Sequence, residues 1–229
     1  MYQQANIRKY LDVPFHDNGR VKELGAWWDP EKKSWYVPPH IKAINPFKRW
    51  FPESKLNLHL KSPLLFVLYK EFCFKCGTVL PIVSLAADEY EDITFNDDDE
   101  EEAESYSFGL FHYVKTIPDP VSGVIAEQFP FFQYKYSNTM KTKFWLNVCP
   151  KCKAAQGDHF IHCEVGEGFG VTSAQEASKI LIVETAINAV QLDGETYAYS
   201  DSHEFINEYA GRVSLPEYIR RKNELFKIS

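Results

Sequence analysis

Two Cys-x-x-Cys pairs, Cys73-Phe74-Lys75-Cys76 and Cys149-Pro150-Lys151-Cys152, are the residues of this chain best suited to chemistry. Two cysteines three positions apart on a tight turn can aim both sulfurs at one point. Two such turns supply four thiolates, the donor set of a tetrahedral Zn²⁺ centre with sulfur at about 2.3 Å. Gly77, after the first pair, frees the backbone to complete the bend. Lys75, Lys151 and Lys153 lie within or beside the pairs, where ammonium groups offset the net negative charge of a zinc tetrathiolate. The spacing predicts one structural Zn²⁺ per chain, held by Cys73, Cys76, Cys149 and Cys152.

Other chemistries of these thiols fit less well. Four free buried cysteines would not need two matched pairs. A thioredoxin-like redox site needs one pair opening a helix, and neither pair has that setting. Four cysteines can hold an iron–sulfur cluster, but the lysine-rich surroundings favour zinc. A catalytic zinc is the sharpest alternative, because His159, His162, Cys163 and Glu164 follow the second pair closely. The His-x-Glu of zinc deaminases, however, precedes its Cys pair. Read as a strand, this segment points His159 and His162 to opposite faces. Cys163 reads as a core thiol.

These pairs must be positioned by elements that the rest of the chain supplies. With 229 residues and 45% apolar side chains, the chain makes one large domain or two small ones. The longest apolar stretch, 63–69, is far below the roughly 20 residues of a membrane helix. No secretory h-region opens the sequence. The expectation is a cytoplasmic protein with no membrane partner, in which paired cysteines hold metal rather than form disulfides. The net charge of −7 is uneven. Residues 1–61 carry 11 Lys/Arg against 6 Asp/Glu, whereas residues 84–104 carry 11 Asp/Glu and no Lys or Arg. The acidic stretch, with its run Asp97–Glu102, reads as a solvated loop over 88–104.

Strands are expected at 10–15 and 33–37, around a short helix that starts after Asp17 as N-cap and ends at Gly25. Trp27–Pro30 reads as a turn. Prolines at 38, 39, 46 and 52 mark a linker over 41–55, with a short helical turn near Phe47–Trp50. Strands at 56–72 and 78–84 flank the first Cys pair. Further strands at 106–114, 129–136 and 143–148 lead to the second, and 157–165 leaves it. Capping patterns at Ser173, Asp201 and Ser214 open three C-terminal helices, the last over 216–226. A strand at 180–183 competes with the first of these helices, because β-branched residues dominate there.

The N-terminal string Tyr10–Pro14, Lys22–Ala26, Trp28-Asp29 and Lys33–Pro38 resembles a small tryptophan-rich bacterial domain of unknown function. That domain occurs beside plasmid and phage primase-like proteins, which implies a nucleic-acid setting. The segments 72–77 with 81–83, and 147–152 with 156–160, resemble an uncharacterised group of bacterial zinc-ribbon proteins. Trp28, Trp35 and Tyr36 are expected mainly as core of so small a module. Alternatively Trp27 or Trp35 stacks on a base beside Arg20, Lys32 and Lys33, as sequence-tolerant single-strand binders do.

The sequence thus predicts an α+β protein: a β-α-β-like module over 1–40, a linker, and a β-rich zinc-ribbon domain over 56–229 finished by helices. The expected role is a non-enzymatic, zinc-binding accessory protein that is nucleic-acid-associated, in a mobile-element or defence setting. A protein–protein adaptor and a zinc-dependent hydrolase stand as alternatives.

Overall fold

A computed structural model describes residues 8–52, 56–96, 100–196 and 201–225. The chain is α+β and falls into two compact units, residues 1–57 with 93–102, and residues 58–92 with 103–229.

The small unit is built on β1 (Lys9–Leu11), α1 (Asn18–Glu23), β2 (Trp27–Asp29) and β3 (Ser34–Val37), with the antiparallel order β1-β3-β2. Helix α1 ends in a Schellman turn, with Gly25 N–H on the Lys22 carbonyl and Ala26 N–H on the Val21 carbonyl. Gly25 takes φ +94°, which a side chain would strain. Asp17 does stand at the N-cap, but its carboxylate accepts the Trp50 indole N–H (2.8 Å) instead of a helix N–H. The turn expected at Trp27–Pro30 is instead a strand and a hairpin. The Asp29 carboxylate accepts the Glu31 and Lys32 amides, which closes the reversal between β2 and β3.

Phe47 and Trp50, in a 3-10 helix over Asn45–Trp50, are buried with Leu11, Val21, Ala26 and Val37. The core of this module therefore draws on residues beyond 40. Three short strands and one helix cannot seal a core alone, and two bulky aromatics close it from below.

The larger unit contains a seven-stranded sheet. Its strands are β4 (Leu58–Leu60), β5 (Leu65–Phe72), β6 (Val79–Phe95), β7 (Glu101–Thr116), β10 (Leu181–Glu184), β11 (Gln191–Glu195) and β12 (Gly211–Ser214). The order is β12-β10-β5-β6-β4-β11-β7, and β6 also pairs with β7, so β6, β4, β11 and β7 form a closed ring of pairings. Strand β5 takes residues 79–86 of β6 and β4 takes residues 90–92. Both sheet faces are covered. Leu64, Phe66 and Leu68 pack on one side with Val121 and Ile125 of α2 (Asp119–Gln128) and with Tyr218 of α6 (Leu215–Leu225). Leu65 and Val67 pack on the other with Ala177 of α4 (Ala174–Ala177) and Ile206 of α5 (Ser202–Tyr209). Two buried faces explain the unbroken apolar runs of β5 and β6.

The acidic loop expected over 88–104 is corrected: Asp88–Asp92 lies in β6, and Glu101–Glu104 lies in β7. Tyr90 packs edge-on against Phe111 (5.1 Å) and stacks on Tyr106 (5.4 Å). Inward Tyr90 thus holds the strand while its acidic neighbours find cations, Glu91 on Lys61 (2.7 Å) and Asp88 on Arg212 (2.7 Å). Asn96 closes the reversal, its amide N–H on the Glu100 carbonyl and its side-chain oxygen on the Glu100 amide. Asp97–Asp99 lies outside the described residues.

Two further expectations change. The first C-terminal helix shrinks to α4, capped by Ser173 Oγ on the Glu176 amide, and the competing strand is β10. The segment 157–165, expected as a strand, opens with helix α3 (Asp158–His162). Helix α2 was not among the expected elements; Pro118 stands at its N-cap and Pro120 in its first turn, where proline is favoured.

Candidate metal centre and aromatic face

Each Cys pair closes a hairpin. The first turns β5 into β6, where Phe72 pairs with Val79. The second follows β9 (Thr142–Asn147), the partner of β8 (Phe132–Ser137), and is closed by a bridge between Val148 and Ala155. The two turns repeat one hydrogen-bond pattern. Cys73 N–H bonds the Thr78 carbonyl and Gly77 N–H bonds the Cys73 carbonyl; Cys149 N–H bonds the Ala154 carbonyl and Lys153 N–H bonds the Cys149 carbonyl, all at 2.9 Å. Gly77 and Lys153 hold the equivalent left-handed position, at φ +67° and +61°.

This repetition brings the four sulfurs together, all within 4.8 Å of one another. Cys73 Sγ lies 3.6 Å from Cys152 Sγ, and Cys76 Sγ lies 3.8 Å from Cys149 Sγ. A tetrahedron with metal–sulfur bonds of 2.3 Å has edges of about 3.8 Å, so the sulfurs fit a single ion. Cys73 and Cys149 are buried, Cys152 half-buried and Cys76 exposed.

The surroundings favour thiolates on one side of the group. The Thr78 amide and hydroxyl donate to Cys76 and lower its pKa to about 6. Burial of Cys73 opposes ionisation, but the Cys76 and Lys75 amides outweigh it and lower the thiol. At Cys152 the Ala154 amide favours the thiolate, yet desolvation and the neighbouring sulfurs push it up to about 11. A cation at the centre removes that mutual repulsion.

Gln156 ties the two turns together. Its side-chain N–H donates to Cys73 Sγ (3.5 Å) and to the Ala154 carbonyl, and its oxygen accepts the Phe74 amide. Buried Asn147 then locks the second hairpin to the sheet, exchanging both amide bonds with the Val83 backbone (2.9 and 3.0 Å). Neither role was read from the sequence. Only their place beside the second Cys pair marked them.

The histidines stand apart from the sulfurs. His159 is paired with Glu164 (3.3 Å) at the surface, while His162 is buried, bonded to Ser84 Oγ (2.9 Å) and the Asp158 carbonyl (3.0 Å). Cys163 is buried, as expected of a core thiol. Burial holds His162 well below the usual histidine range and raises the Asp158 carboxyl to about 7.

In the small unit, cross-strand register places Tyr10 opposite Tyr36 and Tyr36 opposite Trp27, so the three share one face. Lys32 Nζ sits 4.1 Å from the Tyr10 ring and the Arg8 guanidinium 4.7 Å from the Tyr36 ring. Asp29 accepts from Arg8 (3.0 Å) and from the Tyr10 hydroxyl (2.7 Å). Trp27 is exposed and Lys33 lies exposed in the adjoining turn.

The fold thus brings Trp27 and Lys32 onto one face. Trp35 lies on the opposite face with Trp28 (5.6 Å), its indole N–H on Asn18 Oδ1, and Arg20 lies over the Trp50 ring. Trp28 is exposed, against the expectation of a core residue. Tyr10 and Arg8 join the face and were not singled out.

Residues 8–52 match a family described as a domain of unknown function (DUF5710). Over this N-terminal domain the chain is similar to a DNA primase TraC from Escherichia coli, 46% identical over 43 residues, 19% of this chain and 3% of that protein. A second Escherichia coli DNA primase TraC is 46% identical over 47 residues, 20% of this chain and 4% of that protein. The chain therefore spans only a few per cent of the length of these relatives. No solved structure matches.

Proposed function

We propose that this chain is a zinc-stapled accessory protein that contacts nucleic acid through its N-terminal domain, in a mobile-element or defence setting. The metal is Zn²⁺, one per chain, held by Cys73, Cys76, Cys149 and Cys152. A tetrahedral all-sulfur donor set suits zinc, and four protein ligands leave no position for a reacting water, so the ion's role is structural. The observation that carries the nucleic-acid reading is the row Tyr10–Tyr36–Trp27 flanked by Arg8 and Lys32, in a domain similar to part of proteins named DNA primase. Aromatic rings beside cations bind bases by stacking and phosphates by charge. Asp29 neutralises part of Arg8, which leaves Lys32, Lys33 and the open side of Trp27 as the contact groups.

The test is fluorescence anisotropy of labelled single- and double-stranded oligonucleotides over a salt series. Trp27→Ala is expected to weaken binding by about 5-fold, the loss of one stack. Joint neutralisation of Lys32 and Lys33 is expected to flatten the slope of affinity against salt. Wild-type protein with no salt-dependent affinity would refute the reading.

A second reading, a protein-interaction adaptor, draws on one observation. Phe72, Phe74 and Phe160 are 67%, 75% and 63% exposed and line a cleft of about 650 Å³ rimmed by Glu71, Glu164 and Glu167. On that reading Phe74→Ser with Phe160→Ser abolishes capture of a specific partner and leaves nucleic-acid affinity untouched.

A further inference from the structure

The segment 129–157 holds five lysines, Lys135, Lys141, Lys143, Lys151 and Lys153, and no aspartate or glutamate, in a chain of net charge −7. It forms β8, β9 and the second Cys turn. The register sets Tyr134 opposite Trp145 and Tyr136 opposite Lys143, so these four side chains share one face of the hairpin. Phe132 continues the row at its base. Trp145 lies 5.8 Å from Phe132 and 6.0 Å from Tyr134, in tilted contact.

The base of this face is anchored, with Phe132 in the main core and Asn147 bonded to Val83. On the other face Phe144 and Leu146 are buried, and Phe144 packs edge-on against Tyr113 at 5.3 Å. Tyr134 and Tyr136 are 48% and 51% exposed, and Lys141 and Lys143 are exposed beside them. The fold therefore leaves about half of each of these two tyrosines in water, next to cations and with no carboxylate in the same segment. Scattered exposed aromatics are ordinary on a protein surface. A cross-strand row of them interleaved with lysine, inside an acid-free stretch of an acidic protein, is charge-complementary to a polyanion with flat rings.

We propose that this face of the β8–β9 hairpin binds single-stranded nucleic acid, with bases stacked on Tyr134 and Tyr136 and phosphates on Lys141 and Lys143. It is a second contact surface, built from residues that the N-terminal reading does not use. Stacking needs unpaired bases, so a duplex is a poorer ligand, and every base has a face to offer, so sequence preference is weak.

The full-length protein would be titrated with labelled oligothymidylate and oligouridylate of about 16 nucleotides, the upper site size of one small single-strand binding fold. The two ligands separate DNA from RNA as the source of the shared chemistry. Tyr134→Ala and Tyr136→Ala are each expected to weaken binding by about 5-fold or more, and Tyr136→Phe to retain it. Lys143→Gln is expected to reduce the salt slope by about 0.7, the share of one phosphate on a single strand. All three side chains are exposed, and a thermal melt of each variant checks that the fold persists.

The same series on the Trp27→Ala background keeps the two surfaces distinguishable: tyrosine effects that persist there belong to the hairpin alone. Unchanged affinity in the Tyr134→Ala, Tyr136→Ala double variant would overturn the proposal. So would equal displacement of the oligonucleotide by a polyglutamate peptide, because charge without stacking would then suffice.

Discussion

Lys153 stands after the second Cys turn where Gly77 stands after the first, and both adopt a left-handed backbone. Only glycine takes that conformation without steric cost. Gly77→Ala is therefore expected to lower stability by about 1 kcal/mol, and Lys153→Gly to raise it by less, because added unfolded-state freedom offsets part of the relief. Paired denaturant melts of the metal-loaded protein check both signs. Gln156 would act on a metal held by the four cysteines through the sulfur it touches. Gln156→Leu removes the donor to Cys73 Sγ and leaves the Phe74 amide unmatched, so metal affinity is expected to fall about 10- to 100-fold. Chelator competition reads that loss directly. The four-cysteine cluster was legible because thiols at fixed spacing have few uses. Gln156 was not, because nothing in a single glutamine announces that its carboxamide will face a sulfur brought from 83 positions away.

At the scale of elements, apolar periodicity found the strands that bury a face, and missed structure wherever partners beyond the local window decide it. Trp27–Asp29 looks like a turn beside Pro30, yet pairing with β3 makes it a strand. Asp88–Asp92 looks solvated, yet Tyr90 pins it beneath Phe111 and cations meet the acids. Ser173 gives a sound helix start, but the β-branched run behind it is captured by β5 and β12. Phe47 and Trp50 follow a proline-rich stretch that reads as linker, and burial in the small core is a tertiary fact. A fragment of residues 1–57 is expected to melt cooperatively and a fragment of residues 1–40 to show no transition, by circular dichroism. Trp50→Ala in the longer fragment is expected to cost about 3–5 kcal/mol, enough to unfold a module this small.

For the whole molecule, pH acts through a buried polar group that the cysteine centre does not include. Burial lowers His112 to about 4 and holds His162 well below the usual range, so the folded protein keeps both neutral. Their contribution is present above the unfolded histidine value of about 6.5 and is lost as pH falls toward 4. Asp158 runs the other way. Its carboxyl is raised to about 7 by burial, so its stabilising proton is held at low pH and lost as pH rises through 7. Burial lowers His203 to about 4 as well, and three histidines against one carboxyl leave a net loss on acidification, with a stability maximum near pH 6.5. Melting midpoints from pH 4.5 to 8 check this, and His112→Phe is expected to shallow the acid limb by about one proton. Metal removal by chelator is expected to destabilise the larger unit far more than the small one, since an ion held by the four cysteines would join hairpins whose nearest cysteines, Cys76 and Cys149, lie 73 positions apart. That separation also sets a schedule for synthesis. A ribosome adding about 5–20 residues per second takes roughly 4–15 s to deliver Cys152 after Cys76. During that interval the first two thiols have no companions, and β10 does not yet exist to flank β5. The nascent chain thus passes through a stage at which the N-terminal domain can already have folded while its neighbour waits, half a donor set in hand, for the second half to leave the tunnel.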